Sequence, residues 1–343
     1  MPPYRRYHRD GMTLVELLVV VVILLVLAAT VLPLVAGTAE SRRSREAART
    51  VASFIAKAQS RSIGRQQWSG FTIVPTGTAS AIALTLYLAD VPSPYMGDSA
   101  RTVISGTGPS AGRWTGTTTL AGDLTTGTAM TRAGDLIRLD GRGPLYEITA
   151  ITTGSLVFQM RTVASGSTEN AGQSQHNTPW PAPAPATHTF EILQQPLMSG
   201  SPLSLAENRA IDLTYCGHGS TSNYSRFAAG STVSVLFDGS GQLRQIVTIA
   251  SSGSVSRVWP TGPVFLLVGR ADRVGTSGTF SLSGTNDSAA ANWKYGDSTW
   301  IGIDPMTGLV KTAGCDVSTT VVSQTIPVPS QNWIRQALLS TGQ

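Results

Sequence analysis

Between Gly11 and Gly37 the chain reads GMTLVELLVVVVILLVLAATVLPLVAG, and from Met12 to Ala36 only Thr13, Glu16, Thr30 and Pro33 interrupt the apolar run. That length suits a helix crossing hydrocarbon, which takes about 20 apolar residues. A helix that is apolar on every side cannot stay in water, so the segment must lie in a membrane or against other helices. Glu16 is the exception. A carboxylate near the start of such a helix is costly in a bilayer, so it needs a partner or a function.

A secretory signal peptide or a plain anchor is the alternative. The run is longer than the usual signal h-region of about 7–15 residues. Val35-Ala36-Gly37 is only a loose match to a signal cleavage site. A plain anchor gains nothing from Glu16, so the sequence favours a retained segment with an assembly role.

The same stretch resembles the N-terminus of the type IV filament superfamily, the prepilins and the pseudopilins of type II secretion. Those chains carry a short basic leader that ends in Gly and is cut before an apolar residue, with Glu at the fifth mature position. Here MPPYRRYHRDG ends at Gly11, Met12 would be the first mature residue, and Glu16 is the fifth. Met12 stands where family chains often begin with Phe, and Pro33 falls where many members carry a helix-melting proline. The resemblance implies cleavage between Gly11 and Met12, N-methylation of Met12, and assembly through Glu16 and Pro33.

Composition constrains the chain beyond this span. The protein is 41% hydrophobic but 13% charged, well under the roughly 25% of an average soluble protein. Gly, Ser and Thr take the place of charge, which fits short strands and turns better than a helical cytosolic enzyme. Basic residues gather in two places. The leader holds Arg5, Arg6 and Arg9, and the stretch from Thr38 holds Arg42, Arg43, Arg45, Arg49, Lys57, Arg61 and Arg65. The rest of the chain has no basic excess, so nucleic acid is not expected among the partners. The positive-inside rule, applied to the flanks, argues against an N-terminus in the cytoplasm. The prepilin-type leader, cut on the cytoplasmic side, argues for it and is preferred here. Cys216 and Cys315 are the only cysteines. An oxidising periplasm would permit one bridge between them, and two buried free thiols are the equal alternative.

Taken in order, residues 1–11 are the leader and 12–37 the transmembrane or filament-core helix. Residues 38–90 continue that helix as an amphipathic one, with Ala47, Val51, Phe54 and Ala58 at helical spacing and Ile55 beside them, to about Arg65. Pro33 and Gly37 predict local melting. Strands succeed it at Phe71–Pro75 and Ala81–Asp90. Residues 91–186 change character to Gly/Thr/Ser-rich sequence. They enclose GDLIRLDGRGPLYEITAITTGSLVFQM, three strands with Gly-rich turns, which resembles β-barrel or hairpin modules inserted in surface proteins. They end in PWPAPAPA, which favours an extended chain. This part reads as a β-rich insertion.

Residues 187–343 return to core-like strands: Thr187–Gln195, Arg209–Tyr215, Ser231–Phe237, Gln242–Ala250 and Val264–Val268. QPLMSGSPLSLAENRAIDL, VSVLFDGSGQLRQI and WIGIDPMTGLVKTAG resemble, in that order, the proline-bearing turn, a hairpin and the last hairpin of H-type minor pseudopilins. Asp238-Gly239 and Thr307-Gly308 supply the residues that hairpin turns need at positive φ. SQNWIRQALLS predicts a short docking helix capped by Ser330, with Trp333, Ile334, Ala337 and Leu338 on one face.

Other constellations carry little. Cys216 and His218 offer two metal ligands without a second pair at zinc spacing. Asp287, Asp297 and Asp304 lie in Gly/Ser-rich loops without EF-hand spacing. No G-x-S-x-G elbow, Walker loop or H-E-x-x-H occurs. No cofactor, metal or catalytic residue is expected.

The reading is therefore an α+β chain, a long N-terminal helix on an antiparallel sheet with a β-rich insertion, and not an enzyme. The resemblance implies a minor pseudopilin of a type II secretion pseudopilus or related filament, single-pass in the inner membrane with a periplasmic C-terminal domain. Its implied partners are other pilin or pseudopilin subunits, prepilin peptidase, the inner-membrane assembly platform, and membrane lipid before assembly. The alternatives are a type IV pilin for adhesion or DNA uptake, or a membrane-tethered periplasmic binding or hydrolase module.

Overall fold

The computed structural model describes residues 14–78, 80–97, 104–110, 113–118, 131–152, 155–160, 187–206, 208–221, 223–260, 262–274, 291–294, 296–316 and 331–340. The first helix, α1 (Leu14–Arg65), runs unbroken for 52 residues, a rod of about 78 Å. Pro33 and Gly37 lie inside it without melting it. A proline removes one backbone donor, and a helix can absorb that loss as a bend without ending.

The strands come in chain order. They are β1 (Ser69–Pro75), β2 (Ile82–Asp90), β3 (Ile104–Ser110), β4 (Arg113–Thr118), β5 (Leu136–Leu139), β6 (Arg142–Thr152) and β7 (Ser155–Met160). Next are β8 (Thr187–His188), β9 (Phe190–Leu193), β10 (Leu197–Ser204), β11 (Arg209–Asp212), β12 (Gly217–His218) and β13 (Ser225–Arg226). Then β14 (Thr232–Phe237), β15 (Leu243–Ile249), β16 (Val255–Val258), β17 (Val264–Arg270), β18 (Thr299–Ile303) and β19 (Val310–Gly314) precede the last helix, α2 (Asn332–Leu339).

Twelve strands form one antiparallel sheet, ordered β13-β12-β17-β11-β2-β1-β14-β15-β16, with β10 on β2 and the β18–β19 hairpin on β17. Alternation along these strands sends Phe71, Ile73, Leu86, Leu88, Val233, Val235 and Ile246 to one face. There they meet Ala47, Ala48, Val51, Ile55 and Ala58 of α1, all buried. The heptad-like spacing of those helix residues makes one stripe, and burying each larger aliphatic contributes about 1.5–3 kcal/mol. Gln59 of α1 also donates to the Gly241 and Thr307 carbonyls, holding two hairpin turns against the helix. In the first of those turns the positive φ belongs to Gly241, not Gly239. Asp238 accepts from the backbone N–H of Ser240 and Gln242, which moves the tight bend two residues on. Gly308 takes the positive φ in the second turn. The last helix begins at Asn332 with Gln331 as N-cap and no side-chain cap bond; Ser330 lies outside the described residues. Ile334 and Leu338 are buried but Trp333 is 48% exposed, because the i, i+4 pair turns Trp333 about 100° away from the sheet.

Seven strands make a second sheet, ordered β8-β3-β4-β7-β6-β5-β9. Its two ends are neighbours in the chain: His188 pairs with Ile104 and Phe190 pairs with Leu139. The sheet therefore closes on itself as a small barrel, with Ile137, Leu139, Tyr146, Ile148, Leu156, Phe158, Phe190 and Ile192 inside. Asp140 fastens the closure, accepting from Thr189 N–H and pairing with His188 Nδ1 at 2.6 Å. The barrel takes strands from beyond Ala186 and ends at Leu193. It is an excursion from one hairpin: Asp90 at the end of β2 is the register partner of Leu197 at the start of β10.

Candidate functional site

Glu16 occupies the first turn of α1, where the exposed N–H groups give the helix end a partial positive charge that favours a carboxylate. Around it every large aliphatic is exposed, from Leu14 at 81% to Val20 at 43%. The run Leu17–Leu27 is exposed residue after residue. At 3.6 residues per turn this means all faces of the helix, not one stripe. Among the described residues nothing buries the side chains of this segment. Among them, too, no helix is long and apolar enough to cross a membrane.

The other residues singled out in the sequence do not gather around Glu16. Gly11 and Met12 lie outside the described residues, and Pro33 lies in the continuous backbone of α1. Cys216 and Cys315 are free, buried thiols. The Cys216 sulfur accepts from Leu267 N–H and donates to the Asp212 carbonyl, and burial pushes both thiols up from their usual range. Burial lowers His218. Of the loop aspartates, Asp297 pairs with Arg273 at 3.0 Å. Asp304 accepts from the N–H of Met306 and Thr307, and Asp287 lies outside the described residues. Among the described residues no three His, Cys, Asp or Glu side chains converge as metal ligands.

Three arrangements had no sequence signal. Asp90, where the chain leaves for the barrel, binds Arg61 at 2.5 Å and Arg65 at 3.4 Å. Burial alone would raise its carboxyl, but the Arg61 hydrogen bonds and the two arginine charges bring it below the usual range. Asp212 is fully buried, and burial pushes it up to about 6 despite hydrogen bonds from Asn292 and Thr214. Between barrel and sheet runs a cleft of about 270 Å³, lined by Trp68, Pro92, Leu193, Leu236, Arg257 and Trp259 among others. Beside it Arg257 donates to the Gly134 carbonyl and Gln195 donates to Asp135. Gly134 is at positive φ and so close to Val255 that a side chain would collide. Only paired positions far apart in sequence create these contacts.

Residues 6–32 match the family described as the prokaryotic N-terminal methylation motif. This motif is the signature of prepilin-type substrates, the type IV pilins and pseudopilins. No curated protein and no solved structure matches the chain.

Proposed function

We propose that the chain is a structural subunit, a minor pseudopilin of a type II secretion pseudopilus or a related type IV filament, with no catalysis of its own. Prepilin peptidase cuts between Gly11 and Met12, Met12 is N-methylated, and α1 then sits in the inner membrane with its N-terminus cytoplasmic. The observation that carries this reading is a helix apolar on all faces, interrupted at Glu16, continuous with one that packs on a sheet. The match at residues 6–32 supports it. In a bundle of such helices, Glu16 of one subunit meets the Met12 amino group of the next. Each neutralises the other in low dielectric, and the pairing fixes register between helices that otherwise offer only aliphatic surface. The assembly platform and the other subunits are then the partners, with lipid covering the segment beforehand.

Glu16→Leu separates assembly from anchoring. An anchor would insert at least as well without its carboxylate. A filament subunit should reach the same membrane level with a mature mass beginning at Met12, yet lose most cross-linking to co-expressed filament proteins. Unchanged cross-linking and secretion would favour a tethered periplasmic module. A type IV pilin for adhesion or DNA uptake is the second reading, favoured by the barrel, which has its own core and stands clear of the α1 face of the sheet.

A further inference from the structure

The charged face of α1 points to a second contact. Arg42, Arg45 and Arg49 fall at i, i+3 and i+7 and are exposed, whereas Ser44, Ala47, Ala48 and Val51 on the other side are buried against the sheet. Glu46 is the one acid described on that outward face. Further along, the same face carries Ser53, Ala56, Lys57 and Ser60, so the positive charge is concentrated in the first turns beyond the apolar half. Arginines at the far end of the helix behave differently: Arg61 and Arg65 turn onto Asp90. Among the described residues, Arg42, Arg45 and Arg49 meet no carboxylate of the sheet; Arg45 instead donates to the Ser41 carbonyl one turn back.

Position along the rod says what they meet. From Leu14 to Arg42 α1 rises about 42 Å. A bilayer with its headgroups is about 40–45 Å thick. With Leu14 at one surface, Arg42 and Arg45 stand at the opposite headgroup layer, and Arg49 reaches back to it on a long side chain. Basic residues on a translocated flank run against the usual charge bias, so their presence there calls for a counter-charge on that surface. We infer that Arg42, Arg45 and Arg49 form a collar that binds the phosphate groups of anionic phospholipid in the outer leaflet of the inner membrane. This rests on the proposed membrane insertion of α1. Each arginine close to an anionic surface favours it roughly fivefold.

The full-length mature protein, reconstituted in phosphatidylcholine vesicles with spin-labelled phosphatidylglycerol or spin-labelled phosphatidylcholine as probes, tests the collar. The native chain should immobilise the anionic probe at least severalfold more than the neutral one, and roughly half-molar salt should weaken that preference. The triple variant Arg42→Gln/Arg45→Gln/Arg49→Gln should lose it, and the triple Lys variant should keep most of it. Circular dichroism melting should be unchanged in both, since the three side chains are exposed. Equal immobilisation of the two probes by the native chain, or a preference that survives the Gln variant, would overturn the collar. So would a Gln variant with unaltered lipid preference but weaker cross-linking to filament subunits, which would assign the charge to neighbouring proteins. Protein released from the vesicles by alkaline carbonate would instead sink the membrane reading on which the collar rests.

Discussion

The large sheet leaves its ends open and relies on α1 to cover one broad face, whereas the barrel joins its first and last strands and fills its interior with its own side chains. Closure removes the unpaired strand edges that an open sheet must protect by other means. One unit thus depends on a helix contributed from the start of the chain, and the other on its own core and on the seam where β8 and β9 pair with β3 and β5, fastened by Asp140 and His188. Stability in the two units should therefore respond to different residues, and each can be challenged alone.

The largest expected effect is at Ile55, buried between α1 and the sheet. Ile55→Ala should cost about 2–5 kcal/mol. Thermal unfolding followed by Trp fluorescence should show the large sheet melting earlier, while hydrogen exchange in β5–β7 stays near native. Equal loss of protection in both units would show that they do not unfold separately.

Asp212 distinguishes the units through pH. Its folded pKa of about 6 lies above the unfolded value of about 3.9. Between those values the folded state holds the extra proton, so stability should fall as pH rises from about 4 to about 6 and stay level above. The span corresponds to about 3 kcal/mol. Urea midpoints of the native chain should show this slope and Asp212→Asn should lose it, with the barrel indifferent in both.

The smallest effect is expected from removing the barrel. Excising residues 91–196 and joining Asp90 to Leu197 by a two-residue Asn-Gly turn restores a plain β2–β10 hairpin. The remaining sheet should still melt cooperatively, about 2 kcal/mol below the native value, because Leu236 and Val247 lose the cover that the barrel gives their side of the sheet. Loss of cooperative unfolding would show that the barrel is part of the sheet's own core.

Much of the large sheet was legible because its strands are rich in apolar residues that the fold buries: four of the nine residues of IALTLYLAD and five of the six of TVSVLF are buried. The helix stripe at Ala47, Val51, Ile55 and Ala58 was legible for the same reason at helical spacing. β3 and β4, reading ISGTGPS and RWTGTT, were not, since Gly, Thr and Ser give no apolar alternation and only pairing with β7 and β8 makes them strands. β10 escaped too. Its residues are mostly exposed, so LMSGSPLS has no buried side to mark it and reads instead as a proline-bearing turn. Glu16 was legible because a charge inside an apolar run is conspicuous by itself, whereas Asp90 gains its meaning from Arg61 and Arg65 across the fold.

In the proposed filament, that last contact would set how force crosses the chain. A push or pull along α1 leaves the helix through its packed stripe and through Arg61 and Arg65 onto Asp90, at the end of β2. The antiparallel pair of Asp90 and Leu197 places both stalks of the barrel side by side at that anchored point. Tension therefore passes from helix to sheet beneath the barrel without stretching it. The barrel rides on the load path as a passenger, and its size or shape could change without altering how force crosses the subunit.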